Sequence, residues 1–215
     1  MAALNLVPQS EVARRFPRES ISHVAYDSET LQVGAAGRVI NLFKSPNDAL
    51  TGLPKTLYQT NMKNPGAFDR PETMDVMRIG FVVWPANGVG QTSVSLNAVS
   101  LLISVVEDSN MIFTVGGSRK QYWNGPIHRL PGGAGLWSIL NRGTEAALTI
   151  DSVANIGLPW AKGMYAFKFT TRIQWSEPFE VNINIGHNLP ASFAGFGSTP
   201  RLFCLLEGVK HRGIQ

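Results

Sequence analysis

The stretch Tyr165-Ala166-Phe167-Lys168-Phe169-Thr170-Thr171-Arg172-Ile173-Gln174-Trp175 decides the fold class. Tyr165, Phe167, Phe169, Ile173 and Trp175 fall on one side of a period-two pattern, with Thr171 the single interruption. Lys168, Thr170, Arg172 and Gln174 fall on the other. Such alternation describes a strand with one face in a core and one in water, as antiparallel sheets have. It predicts Phe169 in the core and Lys168 outside it. Working outward, residues 75–84 place Met77, Ile79, Phe81 and Val83 on one face, and Val181, Ile183 and Ile185 alternate with Asn182, Asn184 and Gly186. Residues 92–96, 111–115, 147–153 and 202–209 are further strand candidates. Residues 99–106 fit either period. Val99, Leu101, Ile103 and Val105 suit a strand, Val99, Leu102, Ile103 and Val106 a helix, and the β-branched content favours the strand.

Glycine and proline clusters separate these runs: Pro85-Ala86-Asn87-Gly88, Gly116-Gly117, Asn124-Gly125-Pro126, Pro131-Gly132-Gly133, Gly157-Leu158-Pro159 and residues 192–200. About eight strands in about 140 residues, joined by long loops, predict an all-β chain, an antiparallel β-sandwich of the jelly-roll variety. The first 70 residues read differently. An amphipathic start (Val12, Arg14, Arg15, Phe16) gives way to mixed short segments. Ser45-Pro46-Asn47-Asp48-Ala49-Leu50-Thr51-Gly52 reads as one helical turn capped by Ser45 and left through Gly52. The expected organisation is an N-terminal arm over 1–70 and a sandwich over 71–215 that folds without it.

Of the 215 residues, 44% are hydrophobic, which excludes disorder throughout. Only 16% are charged, against roughly 25% in an ordinary soluble domain. A free monomer normally covers itself with more charge, so other subunits are expected to cover much of this surface. The net charge is +4. Residues 110–175 carry Arg119, Lys120, Arg129, Arg142, Lys162, Lys168 and Arg172 against Glu145 and Asp151. These either meet nucleic acid or acidic lipid headgroups or are solvated positions.

The single cysteine, Cys204, excludes an intramolecular disulfide and a cysteine-based zinc site, and Phe203, Leu205 and Leu206 around it mark a core thiol. No Asn-x-Ser/Thr sequon occurs, and the first ten residues do not resemble a signal peptide. The longest charge-free stretch, between Arg78 and Glu107, is broken by Pro85, Asn87, Gly88 and Gly90, which a membrane span does not accommodate. A soluble or assembled chain made in a reducing cytoplasm is expected.

No nucleophile elbow, Walker loop or His-Glu-x-x-His motif is present. His23, His128, His187 and His211 lie far apart; a sheet bringing His128 to His187 would still need Asp151, Glu177 or Glu180 to complete a metal site. Glu107-Asp108 is an acidic pair beside a turn, but adjacent strand residues point to opposite faces. Trp123, Trp137 and Trp160 sit at loop edges, where they either fill a partner's pocket or stack on sugars, or else seal the ends of the sandwich.

Arg70-Pro71-Glu72-Thr73-Met74-Asp75-Val76-Met77-Arg78-Ile79 opens the β-region, Glu177-Pro178-Phe179-Glu180-Val181-Asn182-Ile183 opens a late strand, and Leu205-Leu206-Glu207-Gly208-Val209-Lys210-His211-Arg212 lies near the end. Over residues 71–212 this resembles the jelly-roll capsid proteins of icosahedral, often membrane-containing, bacterial viruses. The resemblance implies a self-assembling virion structural protein without catalytic residues, metal or cofactor. Its partners would be copies of itself and other capsid proteins, with Arg14, Arg15 and Arg18 contacting nucleic acid or lipid headgroups and no small-molecule substrate. It would be made in the host cytoplasm and reside in the virion. The rival expectation is a carbohydrate-binding β-sandwich using Trp123, Trp137 or Trp160. A cupin-type enzyme would need a metal site that the sequence does not offer.

Overall fold

The computed structural model describes residues 18–31, 39–84, 94–95, 107–130, 136–139, 149–150, 152–155, 163–186 and 201–213. Twelve strands follow in chain order: β1 (Arg18–Thr30), β2 (Val39–Leu42), β3 (Thr73–Trp84), β4 (Val94–Ser95), β5 (Ser109–Val115), β6 (Lys120–Pro126), β7 (Leu136–Ile139), β8 (Thr149–Ile150), β9 (Ser152–Asn155), β10 (Tyr165–Ile173), β11 (Phe179–Ile185) and β12 (Arg201–Gly213). Eight of them form two antiparallel four-stranded sheets, ordered β1-β12-β3-β10 and β2-β11-β5-β6. The pairs β4–β8 and β7–β9 are separate two-stranded ladders. One core joins the sheets. The first contributes Ala25, Met74, Val76, Ile79, Ile173, Leu202 and Leu206, and the second contributes Leu42, Met111, Phe113, Phe179, Val181 and Ile183. The chain is an all-β sandwich, and β11 shows why: Phe179, Val181, Ile183 and Ile185 are all buried, two residues apart.

Two irregularities at one level shift the phase expected from sequence. β3 carries one extra residue against β12, where Glu207 pairs with Arg78 but Gly208 pairs with Val76. Met77 is that extra residue. It turns outward, and Met74 and Val76 take the core face below it, while Ile79 and Phe81 keep that face above. On the other side of β3, Ala166 pairs with Arg78 and Thr171 with Val76, so residues 167–170 of β10 bow away opposite Met77. Phe169, expected in the core, is 77% exposed in consequence, while Thr171 is buried beside Ile173; Trp175, also expected inside, is half exposed. Gly208 makes the bulge possible: a Cβ there would lie 1.9 Å from the carbonyl oxygen of Asp75.

The expected boundary at residue 70 does not separate an arm from the sandwich. β1 runs antiparallel to β12 through thirteen register partners, from Arg18–Gly213 to Thr30–Arg201, and β2 pairs with β11. Phe43 and Phe68 sit in the common core, where Phe179 packs on both rings. The segment between β2 and β3 then runs along the outer edge of β1. Tyr26 N donates to Asn61 Oδ1, Asn61 N to Tyr26 O, Ser28 Oγ to Gln59 O and Asn61 Nδ2 to Val24 O. This strap satisfies edge groups that would otherwise be open to another strand. Its expected helical turn is a tight turn that starts at Asp48, not Ser45: Asp48 Oδ1 accepts from Leu50 N and Thr51 N, and Gly52 closes it at φ 68°.

Candidate functional site

The densest charge in the described residues lies inside the sandwich, under the strap. Asp27 and Glu29 share the inward phase of β1 with Ala25 and Leu31, so strand geometry points both carboxylates at the core. The strap supplies their counter-charge. Lys55, with no exposed side-chain surface, places Nζ 2.8 Å from Asp27 Oδ2 and 2.6 Å from Glu29 Oε1. Remaining lone pairs are filled by Phe43 N on Asp27 (2.6 Å) and Ala49 N on Glu29 (2.9 Å). Alongside, Asp48 accepts from Thr30 Oγ1 at 2.8 Å and from Arg201, which also donates to Ser28 and Thr30. Burial pushes the Glu29 carboxyl upward despite its bond from Lys55. Burial acts on Asp48 in the same direction, but bonds from Thr30, Thr51 and Arg201 together outweigh it and hold Asp48 below the usual carboxylate range. Three carboxylates and two cations, closed off from solvent, can clamp the strap to β1 and the start of β12. They offer no reactive group to a ligand.

A second polar array crosses the outer face of the first sheet. Ser20 Oγ and His211 Nδ1 are 2.8 Å apart, His211 Nε2 and Asp75 Oδ2 are 3.1 Å apart, and Arg172 donates twice to Asp75, at 2.6 Å each. The row uses all four strands, β1, β12, β3 and β10. Serine, histidine and aspartate in series are the parts of a nucleophilic triad. Acyl transfer also needs converging donors for the oxyanion, and Ser20 lies within β1, where successive amides point to opposite edges of the strand. Asp75 is moreover neutralised by a two-pronged guanidinium, whose bonds hold its carboxyl below the usual range. The arrangement therefore ties strands together.

The residues singled out from sequence do not converge. Arg14, Arg15 and Trp160 lie outside the described residues, as do His187 and residues 99–106; Arg18 opens β1 and Trp137 lies in β7, and the side chains of both lie outside the description. Trp123 lies in β6, a strand the sequence reading took for a loop edge. Its ring is half-buried, 4.4 Å from Tyr165 between centroids and against Gly125, and its Nε1 is buried with no acceptor among the described residues. It packs at the rim between β6 and β10. Cys204 is wholly buried, and burial raises its thiol pKa far above the ordinary value. No group of three His, Cys, Asp or Glu suited to a metal occurs among the described residues. The sequence reading missed Asp27, Glu29, Asp48, Lys55 and Arg201. The available signal was Asp27 and Glu29 in phase with Ala25 and Leu31.

At the end of the sandwich with the short β5–β6 and β10–β11 connections, a cleft of about 300 Å³ is lined by Lys44, Gly66, Thr114, Gly116, Arg119 and Glu180, among others. Lys44 and Arg119 flank Glu180 at 3.8 and 3.7 Å, beyond hydrogen-bond length, and both cations are largely exposed. Among the described residues no helix is long and apolar enough to cross a membrane. Compared with known proteins, the chain matches no family model, no curated protein and no solved structure.

Proposed function

We propose that this chain is a virion structural protein, a single jelly-roll subunit that assembles with copies of itself into an icosahedral shell around a genome or an internal membrane. The observation that carries the reading is the ladder order. Number the eight sandwich strands one to eight along the chain, leaving out β4, β7, β8 and β9. One then pairs with eight, two with seven, three with six and four with five. Eight also pairs with three, and seven with four. That order agrees with one long antiparallel ribbon wrapped around a barrel axis, the double Greek key of capsid, lectin and cupin domains, and so supports the jelly-roll reading. Fold alone does not choose among those three. The low charge of the chain and its exposed apolar groups favour the first, because a surface poor in charge suits burial between subunits. The arm in this reading is the stretch before Arg18, with Arg14 and Arg15 directed at phosphates of nucleic acid or lipid.

Light scattering of the purified full-length chain, with electron microscopy of the same sample, tests the reading. Large or symmetric particles are expected. A monomer at every concentration and salt level would overturn it and favour the sugar-binding alternative, which a glycan array then checks. If phosphates are held through Arg14 and Arg15, raised salt weakens nucleic-acid or anionic-vesicle binding; if apolar contacts dominate assembly, raised salt strengthens it.

A further inference from the structure

Backbone strain in the described residues gathers around the cleft at the end of the sandwich. The non-glycine residues with positive φ are Phe43 (65°), Arg119 (50°) and Ser176 (56°), and all three lie in the connections at this end. Gly66 and Gly116, also at positive φ, line the cleft itself. Bulky side chains rarely adopt this conformation, and where they do the strain often serves a site. Phe43 is held in it by its N–H on Asp27 Oδ2 at 2.6 Å and by its ring against Phe179 in the core. The buried clamp thus fixes the residue that precedes Lys44. Gly66 fits between the carbonyls of Phe43 and Phe179, where a Cβ would lie 3.0 and 2.9 Å from the two oxygens. On the β5–β6 side, Gly116 N donates to Pro178 O and Arg119 N to Gly116 O, which fixes the turn that carries Arg119. Lys44 and Arg119 therefore approach opposite oxygens of Glu180, Oε2 at 3.8 Å and Oε1 at 3.7 Å. Asn182 Nδ2 donates to Oε1 at 3.1 Å, and Oε2 accepts no hydrogen bond from the described residues.

We infer that this cleft is a binding site for a small acidic sugar, with Lys44 and Arg119 taking its phosphate or carboxylate and Glu180 Oε2 accepting from a hydroxyl. Charge gives the first half of the argument. Two cations against one carboxylate leave one positive charge, and neither cation spends its donors on Glu180 at hydrogen-bond length. The Gly117 amide in the cleft wall also has no partner among the described residues. Charged donors of this kind bind oxyanions more strongly than neutral ones do. Glu180 gives the second half. A bare phosphate would meet its carboxylate and be repelled, whereas a hydroxyl on the same ligand donates to Oε2 and turns that repulsion into a bond. Size agrees. About 300 Å³ is far more than an inorganic anion fills and lies at the small end of the range for ligand pockets, which limits the occupant to about one sugar ring. Pro65, Pro178 and Phe179 supply apolar wall for the C–H faces of such a ring. The site contains no tryptophan and is independent of the shell reading; a shell would carry one cleft on each copy.

The test is calorimetric titration of the full-length chain with glucose 6-phosphate, glucuronate, glucose and inorganic phosphate. The two acidic sugars are the separate arms: tighter glucose 6-phosphate assigns the site to sugar phosphates, and tighter glucuronate assigns it to carboxylated sugars. At least one of them is expected to bind saturably, one per chain, and about tenfold or more tighter than either glucose or inorganic phosphate. Arg119→Gly is the decisive variant. Glycine takes φ 50° without strain, so the variant is expected to melt as wild type does while losing about tenfold or more in affinity. Lys44→Met is expected to lose as much. Glu180→Gln is expected to bind inorganic phosphate more tightly and to narrow the advantage of the acidic sugar over it, because an amide oxygen accepts less strongly than a carboxylate. Inorganic phosphate binding as tightly as both acidic sugars would reduce the site to an adventitious anion contact and overturn the inference. Glucose binding as tightly would do the same for the charged half of the argument. No saturable heat with either acidic sugar, or affinity unchanged in Arg119→Gly and Lys44→Met, would remove the site and leave the shell reading standing.

Discussion

A lysine ammonium with no exposed side-chain surface, as at Lys55, costs several kcal/mol to desolvate, and only its two carboxylate partners offset that. Removing the lysine leaves Asp27 and Glu29 buried and facing each other. Lys55→Ala is therefore expected to destabilise the chain by about 3–5 kcal/mol, read from denaturant melts. A triple change, Lys55→Met with Asp27→Asn and Glu29→Gln, is expected to recover much of the loss, since it removes the orphaned charges as well. A Lys55→Ala melt within about 0.5 kcal/mol of wild type would mean the pair is hydrated and the clamp is loose. A contrasting case lies in β10. Period-two reading puts Phe169 and Ile173 in the same core, but only Ile173 is buried. Ile173→Ala is expected to cost about 2–5 kcal/mol, and Phe169→Ala about 0.5 kcal/mol or less. Equal losses in thermal melts would show that residues 167–170 pack inward in solution.

At the scale of the element, each sheet is held by more than its ladders. The row Ser20–His211–Asp75–Arg172 crosses four strands, and its acid limb is predictable. The guanidinium of Arg172 is the largest cause that lowers the Asp75 carboxyl. A carboxyl lowered by folding adds stability above its unfolded value, and that stability is lost as pH falls through the folded value. The window therefore lies below about pH 4. Arg172 is more than half exposed, so solvent screening limits the effect to about 1 kcal/mol or less. Arg172→Ala is expected to flatten the dependence of stability on pH in that window, by lowering stability at pH 7 by up to about 1 kcal/mol while leaving the acid end little changed. An unaltered acid limb would assign the pH dependence to Asp48, whose carboxyl is also lowered in the folded chain. Strands with clean alternation, such as β5 and β11, are legible from sequence, because a half-buried face imposes period two directly. β6 is not legible, because Asn124-Gly125-Pro126 carries turn chemistry inside a strand. β1 is hidden because Asp27, Glu29 and Ser28 occupy positions where sequence reading expects apolar groups. The buried clamp, which needs strap, β1 and β12 at once, has no local signature apart from that misfit.

For the whole molecule, the question is whether the sandwich survives without its first 63 residues. The sequence pattern suggests it does, since the clearest alternation begins after Pro71. The ladders argue otherwise. A chain starting at Asn64 loses β1, which covers β12 along its whole length, and β2, which covers β11. It also loses Leu31, Ile40, Leu42 and Phe43 from the core and leaves Arg201 without Asp48, Thr30 and Ser28. Each sheet then drops to three strands with a long apolar edge strand, β12 in one and β11 in the other, open to solvent. Edges of that kind pair with other chains. Summed core losses from several large side chains exceed the roughly 5–15 kcal/mol by which a domain of this kind is stable. The truncated chain is therefore expected to show no cooperative thermal transition and to aggregate, by circular dichroism and light scattering. A chain starting at Arg18 keeps every described strand and is expected to melt cooperatively, within a few degrees of the full-length protein. If both truncations melt alike, β1 and β2 are peripheral to folding and the sandwich is held by β3, β5, β6 and β10–β12 alone. If only the chain starting at Arg18 folds, its ability to assemble isolates what the stretch carrying Arg14 and Arg15 contributes: lost assembly assigns that stretch a role between subunits, and retained assembly leaves the contact to the folded sandwich.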